Sequence, residues 1–375
     1  MLVMALVACG IFLKKELRRL EKEGKIKAVK TTITEGGKPP LGELITNNLF
    51  LAVLIAKLYV IIPDISAFSA NPAGMLFSKQ GNWLLGMAAG LALFLYQYLK
   101  KDTNTSPVVR EIDVYPSSRT NDIVILAGVS GVLGSKLFSV LEDLPAFFSD
   151  PAGTFLSGSG LNVYGGLILA FIAVYYFVNK IGIKPIYMMD IAGMGILLGY
   201  AVGRIGCQLS GDGDWGIIAQ PMPTWWFLPD WLWSYTYPYN VNNEGVLLQA
   251  CNPEAYQQAI MTGLSREQSC AASCGMRYCH QLGQGVYPTP IYETLFGLIA
   301  FFILYLKRRS FEIPGVLFFF YMIINGVERF LIEMIRVNEK HMLFGLNWSQ
   351  AQYISVLFVL IGIGGVLYLL KKGRQ

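Results

Sequence analysis

The 375-residue chain is predicted to be an all-α integral membrane protein with about nine transmembrane helices and an outer, cysteine-containing loop. Three observations carry that expectation. Hydrophobic residues make up 54% of the chain and charged residues only 15%, against roughly 25% in an ordinary soluble domain, and mean hydropathy is +0.46. Apolar runs recur throughout, several near the ~20 residues that a helix needs to cross a hydrocarbon core. Basic residues and tryptophans sort to opposite ends of these runs, as the positive-inside rule and the aromatic belt require. Disorder is excluded, and a cytosolic globular enzyme is disfavoured.

Residues 1–13 open on Leu2-Val3-Met4-Ala5-Leu6-Val7-Ala8-Cys9 and reach Lys14 too soon for a comfortable span, so they read as a truncated first transmembrane helix. A signal peptide would place basic residues before the apolar run, and here they follow it. Residues 14–46 read as a basic cytoplasmic linker. Further apolar segments lie at 47–62, 82–99, 122–141, 161–178, 186–206, 289–306, 313–335 and 350–370. Of the 30 Lys and Arg, 21 fall in five stretches that this order places on one side: 14–38, 100–119, 180–184, 307–309 and 371–374. That side is cytoplasmic. The seven Trp (Trp83, Trp215, Trp225, Trp226, Trp231, Trp233 and Trp348) fall at or beyond the opposite interface. The net charge of +5 is spread by loop rather than gathered on a face, so no nucleic-acid role is expected.

Shifting the chain by 79 residues brings Ala56-Lys57-Leu58-Tyr59 onto Ser135-Lys136-Leu137-Phe138, Asp64 onto Asp143 and Pro72-Ala73-Gly74 onto Pro151-Ala152-Gly153. Residues 47–101 and 122–180 thus read as two copies of one hairpin in the same orientation, a parallel repeat of the kind transporters use. The copies differ where chemistry could sit, Trp83-Leu84-Leu85-Gly86-Met87 against Asn162-Val163-Tyr164-Gly165-Gly166.

Residues 217–287 form the expected outer, periplasmic arm. Cys251, Cys270, Cys274 and Cys279 fall in this long loop, and an oxidising compartment would allow two disulfides in any of three connectivities. The closeness of Cys274, Cys279 and His280 raises metal or haem attachment as alternatives, although the spacings fit neither well. Cys9 and Cys207 sit in or at apolar segments.

An ionisable group near the bilayer centre costs at least ~2.5 kcal/mol, so each one in a span calls for a partner or a role. Lys57, Lys136, Asp190, Arg204, Glu293, Glu328, Arg329 and Glu333 are these groups. Arg329 and Glu333 are four apart and share a helix face, where they can pair. Residues 186–216 comprise a helix and a signature turn, ending Gly203-Arg204-Ile205-Gly206-Cys207-Gln208-Leu209-Ser210-Gly211-Asp212-Gly213-Asp214-Trp215-Gly216. Glycines let backbone approach a ligand, and Arg offers a planar fork suited to the phosphate of a lipid headgroup. A helix C-terminus with a cation near its carbonyls and a Gly-rich turn explains the same residues structurally.

This stretch resembles the signature of the bacterial prolipoprotein diacylglyceryl transferase family, which runs Gly-Arg-aliphatic-Gly-Asn followed by an Asn-Gly-Glu turn. Tyr164-Gly165-Gly166 stands where the family has His-Gly-Gly, and Pro288-Thr289-Pro290-Ile291-Tyr292-Glu293 where it has Pro-Ser-Gln-Leu-Tyr-Glu. The C-terminal three-helix unit, 288–375, also holds Arg329-Phe330-Leu331-Ile332-Glu333-Met334-Ile335-Arg336 for the family's Arg-Phe-x-x-Glu-Phe-x-Arg. The family usually has seven membrane helices, so the resemblance implies seven plus a duplicated hairpin, 47–99.

The resemblance implies a multi-pass transferase of the bacterial cytoplasmic (inner) membrane with its site towards the outer face. Its partners are phosphatidylglycerol and prolipoprotein signal peptides carrying a lipobox cysteine, and no cofactor or metal is expected. The substrate's thiol is the nucleophile, a thioether forms and glycerol phosphate leaves. Arg204 and Arg329 are the expected phosphate ligands, with Glu333 orienting Arg329 or relaying a proton, and Tyr164 hydrogen bonding. Substrate binding is expected of Arg204, Gly165, Gly166, Asp212, Asp214, Gly216, Tyr292 and Glu293. This chain departs from the family's pattern at Tyr164 for His, at Cys207 for Asn and at Asn325 for Tyr. Its two His, His280 and His341, lie elsewhere, and the Asp212-Gly213-Asp214 turn is one residue longer than usual. Asp212, Asp214 or Glu333 could take the thiol proton. A repeat-built transporter and a noncatalytic lipid- or lipoprotein-binding scaffold are the alternative functions.

Overall fold

The structure, a computed structural model, describes the chain apart from residues 36–40, 66–67, 69–74, 76–77, 79, 100–107, 152–153, 155–161, 339, 344 and 374–375. Residues 72–74 and 152–153 of the Pro-Ala-Gly loops therefore lie outside the described residues. In chain order the main helices are α1 (Leu2–Lys22), α2 (Leu41–Ile61), α3 (Trp83–Leu99), α4 (Thr120–Glu142), α5 (Val163–Lys180), α6 (Pro185–Ser210), α7 (Pro253–Met261), α8 (Arg266–Cys274), α9 (Thr289–Lys307), α10 (Val316–Glu333) and α11 (Gln350–Lys372). The strands used below are β1 (Val29–Glu35), β2 (Val108–Val114), β3 (Val246–Leu247) and β4 (His280–Gln281). The chain divides into two compact units, one of Met1–Lys22 with Ile183–Gln375 and one of Glu23–Gly182.

The protein is mostly helical. Among the described residues five helical stretches are long and apolar enough to cross a membrane, namely Leu44–Ile61, Pro116–Glu142, Pro185–Ser210, Thr289–Lys307 and Gln350–Lys372. Trp83–Leu99 and Tyr164–Lys180 are apolar but shorter. The expectation of about nine spans is finer than this set. Of the remaining candidates, α10 carries Glu328, Arg329 and Glu333, and α1 runs into a charged half.

Three expectations are corrected. The first helix does not end near residue 13 but continues to Lys22, because Glu16, Leu17 and Leu20 recur at helical spacing and are buried. Glu16 pairs there with Arg19 at 2.7 Å and with Arg308 at 3.0 Å. The 14–46 stretch, read as a basic linker, carries the strand β1, which pairs antiparallel with β2 from Val29↔Val114 to Glu35↔Val108. β-Branched residues populate both strands, so the chain is not purely α. The arm is not one loop, since it contains α7, α8 and the β3–β4 pair.

In the unit of Glu23–Gly182, α2 packs on α3 and α4 on α5. Each pair closes on glycine, and a side chain at Gly86 would strike the Ala52 carbonyl while one at Gly165 would strike Phe138 and the Gly134 carbonyl. Small residues at such crossings let helix backbones approach. Lys57 and Lys136, one in each pair, are buried and donate to loop carbonyls: Lys57 to Met75 at 3.3 Å, Gln80 at 2.8 Å and Ser78, and Lys136 to Thr154 at 3.5 Å.

In the other unit α6 packs against α1, α9 and α10, and α11 lies along α10. Phe12 of α1 meets Phe301 of α9 edge to face at 5.3 Å. Asp190, a carboxylate within α6, accepts from the backbone N–H of Gly315 at 2.7 Å and of Phe318 at 2.9 Å. It caps α10, where the helix dipole and unsatisfied amides favour an anion.

Candidate functional site

The site grows from the C-terminal end of α6. Gly211 ends this helix in the left-handed conformation (φ 58°), its N–H donating to the Cys207 carbonyl at 3.0 Å. The chain then turns through Asp212-Gly213-Asp214 and is tied down on both sides. Thr289 at the start of α9 donates its hydroxyl to the Asp214 carbonyl at 2.6 Å, and Gly216 forms a β-bridge with Arg336 just beyond α10. A Cβ at Gly216 would lie 2.7 Å from the Ile335 carbonyl, so a side chain there would push the bridge apart.

This packing brings three guanidiniums onto two carboxylates. Glu293, wholly buried in α9, lies 2.5 Å from Arg204 Nε, 3.3 Å from an Arg336 nitrogen and 3.4 Å from an Arg329 nitrogen. Asp214 pairs with both Arg204 and Arg336. Arg329 reaches Glu333 at 3.2 Å, and Asn338 donates to the other Glu333 oxygen. Tyr200, one turn before Arg204, sets its ring 5.1 Å from that guanidinium.

Exposure gives the cluster a closed side and an open side. Glu293 and Glu333 are sealed and the Arg204 and Arg336 side chains are 12% and 9% exposed, whereas Arg329 and Asp214 reach 29% and 33%. Desolvation by itself would raise the Asp214 carboxyl, but Arg204 and Arg336 outweigh it and hold the group below the usual carboxylate range. Burial works against the Arg336 charge, and Asp214 and Glu293 outweigh it. The arrangement can present guanidinium N–H groups to an arriving anion that competes with Asp214, while Glu293 keeps the forks in place.

The sequence candidates divide accordingly. Arg204, Asp214, Glu293, Arg329 and Glu333 converge. Of the two turn acids, Asp214 is in the cluster, while Asp212 is exposed and shares with Cys207 and Asp214 a group of ligand atoms within 4.8 Å of one another. Gly216 is a backbone brace, and the Tyr292 hydroxyl is already engaged, donating to the Leu232 carbonyl at 2.5 Å. Tyr164, Gly165 and Gly166 belong to the Glu23–Gly182 unit. There Tyr164 is 43% exposed in the first turn of α5, while Gly165 and Gly166 are buried against α4. A Cβ on either glycine would run into α4, so both close the α4–α5 crossing.

Arg336 and Thr289 are the residues that sequence reasoning missed as site residues. Arg336 stands seven residues after Arg329, two helical turns on, which was an available signal. Its contact with Asp214 depends on the bridge to Gly216.

The arm is joined to the turn. Its cysteines pair as Cys251–Cys274 and Cys270–Cys279, so Cys274 and Cys279, the two thiols of the metal and haem readings, are each held in a disulfide. Val241 N–H donates to the Ser210 carbonyl at 3.0 Å, and Tyr237 donates its hydroxyl to Gln208 at 2.9 Å. Buried Asn240 donates to the His280 carbonyl at 3.2 Å, and Asn243 accepts from Cys279 N–H at 3.0 Å. These bonds hold Tyr237, Tyr239 and Asn243 at positive φ (45°, 63° and 50°) between the disulfides and the end of α6.

Bilayer-length helices and a buried arginine–carboxylate cluster define an integral membrane protein with a polar site at its helix ends. Residues 82–368 match the family model described as prolipoprotein diacylglyceryl transferase. Among curated relatives, the phosphatidylglycerol–prolipoprotein diacylglyceryl transferase of Corynebacterium diphtheriae is 26% identical over 259 residues, covering 68% of this chain and 78% of the relative. The transferase of the same name from Dehalococcoides mccartyi is 26% identical over 253 residues, covering 67% and 77%. That of Shouchella clausii is 24% identical over 286 residues, covering 76% and 83%. The chain belongs to the prolipoprotein diacylglyceryl transferase family and is a membrane transferase.

Proposed function

We propose that this chain transfers the diacylglyceryl group of phosphatidylglycerol to the thiol of the lipobox cysteine in prolipoprotein signal peptides, at the outer face of the bacterial inner membrane. The convergence of Arg204, Arg329 and Arg336 on Glu293 and Asp214, with Arg329 and Asp214 at the open side, is the observation that carries this reading. The substrate thiol gives up its proton, and the thiolate attacks the glycerol carbon that bears the phosphate. The carbon–sulfur bond forms as the carbon–oxygen bond breaks, and glycerol phosphate leaves with the electron pair.

The leaving phosphate gains charge in that step, and preorganised guanidinium donors are worth most where charge develops away from water. Arg329 and Arg204 would bind it, Glu293 and Glu333 would orient them, and Asp214, displaced from its arginines, would be the proton acceptor. Tyr164 would hydrogen bond to a substrate. The hairpin over 47–101 is an added copy of that over 122–180, in a chain of nine crossings whose cysteine-containing arm lies outside. No nucleic acid takes part.

The test incubates the purified chain with phosphatidylglycerol and a fluorescent lipobox peptide, beside its Cys-to-Ser counterpart. A diacylglyceryl mass gain on the Cys peptide alone, matched by glycerol phosphate release, is expected. Arg204→Ala and Arg329→Ala should each lose about 10²–10³-fold in rate, as loss of one charge-stabilising donor does. Binding of both substrates without a mass change would leave a scaffold, and the proposal would be wrong.

A further inference from the structure

We propose that residues 217–233 form a lipid-binding surface that seats the arm in the headgroup–acyl boundary of the bilayer beside α9. The structure separates the tryptophans into different environments. Trp215 is buried, and Trp348 packs on Phe330 and Tyr353 at 5.3 and 5.4 Å. Trp226 and Trp233 meet edge to face at 5.0 Å, and their indole N–H groups donate to the Pro229 and Gln220 carbonyls. In front of that base stand Trp225 and Phe227, 67% and 87% exposed, together with exposed Ile218, Met222, Leu228 and Trp231. Over 217–233 the sequence holds one charged side chain, Asp230.

The occupant follows from continuity and from contrast. The Leu232 carbonyl accepts from Tyr292 in the first turn of α9, Gln220 N–H donates to the Tyr287 hydroxyl at 3.2 Å, and Trp233 meets the Tyr287 ring at 5.5 Å. The patch is therefore fastened to the start of a membrane-crossing helix whose exposed side chains as far as Leu306, namely Leu295, Ile299, Phe302, Ile303 and Leu306, are apolar, with the exposed cation Lys307 only at its far end. The disulfide-bonded part of the arm differs in carrying exposed charges, Glu254, Arg266 and Arg277, among its exposed apolar side chains such as Met261. Rings with an apolar body and a polar edge, almost free of charge and adjoining a span, match the interfacial layer of a membrane.

The test needs no transfer activity, so its failure is distinct from failure of the proposed reaction. The full chain is reconstituted in vesicles of phosphatidylcholine and phosphatidylglycerol, some of whose phospholipid is brominated near the carbonyl end or near the methyl end of its acyl chains. The difference in emission between the wild type and Trp225→Phe/Trp231→Phe isolates two exposed indoles. That emission should be lost with bromines near the carbonyl end and kept with bromines near the methyl end, as burial of about 5–10 Å implies. Phe227→Asp should restore part of the lost emission. Indifference to both lipids overturns the proposal. So does a tip open to aqueous iodide in vesicles and shielded only when a lipobox peptide is added, which would assign the surface to the peptide.

Discussion

Glu293→Gln removes one negative charge from the cluster while keeping the side-chain volume. Glu293 has no exposed surface, and three guanidiniums lie 2.5, 3.3 and 3.4 Å from its oxygens. Removing one partner of a buried ion pair costs about 3–5 kcal/mol, because the other charge is left uncompensated. Arg204 and Arg336 are 12% and 9% exposed, so they feel most of this, while Arg329, at 29%, is partly relieved by water. Asp214 and Glu333 still face the arginines, which puts the expected loss near the lower bound, about 3 kcal/mol. Expressed in the transition state, about 3 kcal/mol slows transfer roughly a hundredfold. The assay pairs thermal unfolding in detergent with the initial transfer rate at saturating lipid and peptide. Adding Arg336→Met to Glu293→Gln should recover stability, since both charges are then gone, without recovering the rate. A Glu293→Gln protein that melts like the wild type and transfers at full rate would refute the reasoning.

The Asp214 carboxyl, lowered on balance by Arg204 and Arg336, contributes stability that is fully present above the ordinary carboxylate value of ~3.9. That contribution declines as pH falls below this value and is gone below the lowered folded pKa. The melting gap between wild type and Asp214→Asn should therefore be constant from neutrality to mildly acidic pH and then close; a gap that closes near neutral pH would contradict the assignment. Replacing Cys270 and Cys279 by Ser opens a bridge of sequence separation 9 and should destabilise the arm by about 2–4 kcal/mol, read as faster proteolytic cleavage around exposed Gly263. Transfer should slow with it through the Val241–Ser210 bond, and unchanged kinetics in a cleavable arm would detach the arm from the turn. Gly165→Val forces atoms onto Phe138 and the Gly134 carbonyl and should cost about 1–3 kcal/mol or more in melting experiments, whereas Tyr164→Phe should not.

The limits of sequence reasoning show at particular residues. Periodicity and apolar length place α2–α6 and α9–α11, because a helix in lipid must satisfy its own backbone and so announces itself locally. Periodicity also runs through Glu16, Leu17 and Leu20, yet the charges between them mask it as linker composition. The β1–β2 pairing joins residues about 80 apart, and no local pattern names a strand's partner.

By itself the sequence determined that this is a helical membrane protein, that Arg204, Glu293, Arg329 and Glu333 needed partners or roles, that Asp212 and Asp214 were both candidates, and that four arm cysteines could pair. Only the tertiary structure decided which partners they took. Arg204 and Arg329 lie far apart in sequence and share Glu293 because α6, α9 and α10 end together. Arg336 joins them because Gly216 admits its backbone. Asp214 rather than Asp212 enters the cluster because Thr289 and that bridge fix the turn from both sides. Charge, polarity and period are properties of a local segment; a site is a property of segments brought together, and that depends on packing, which no single segment contains.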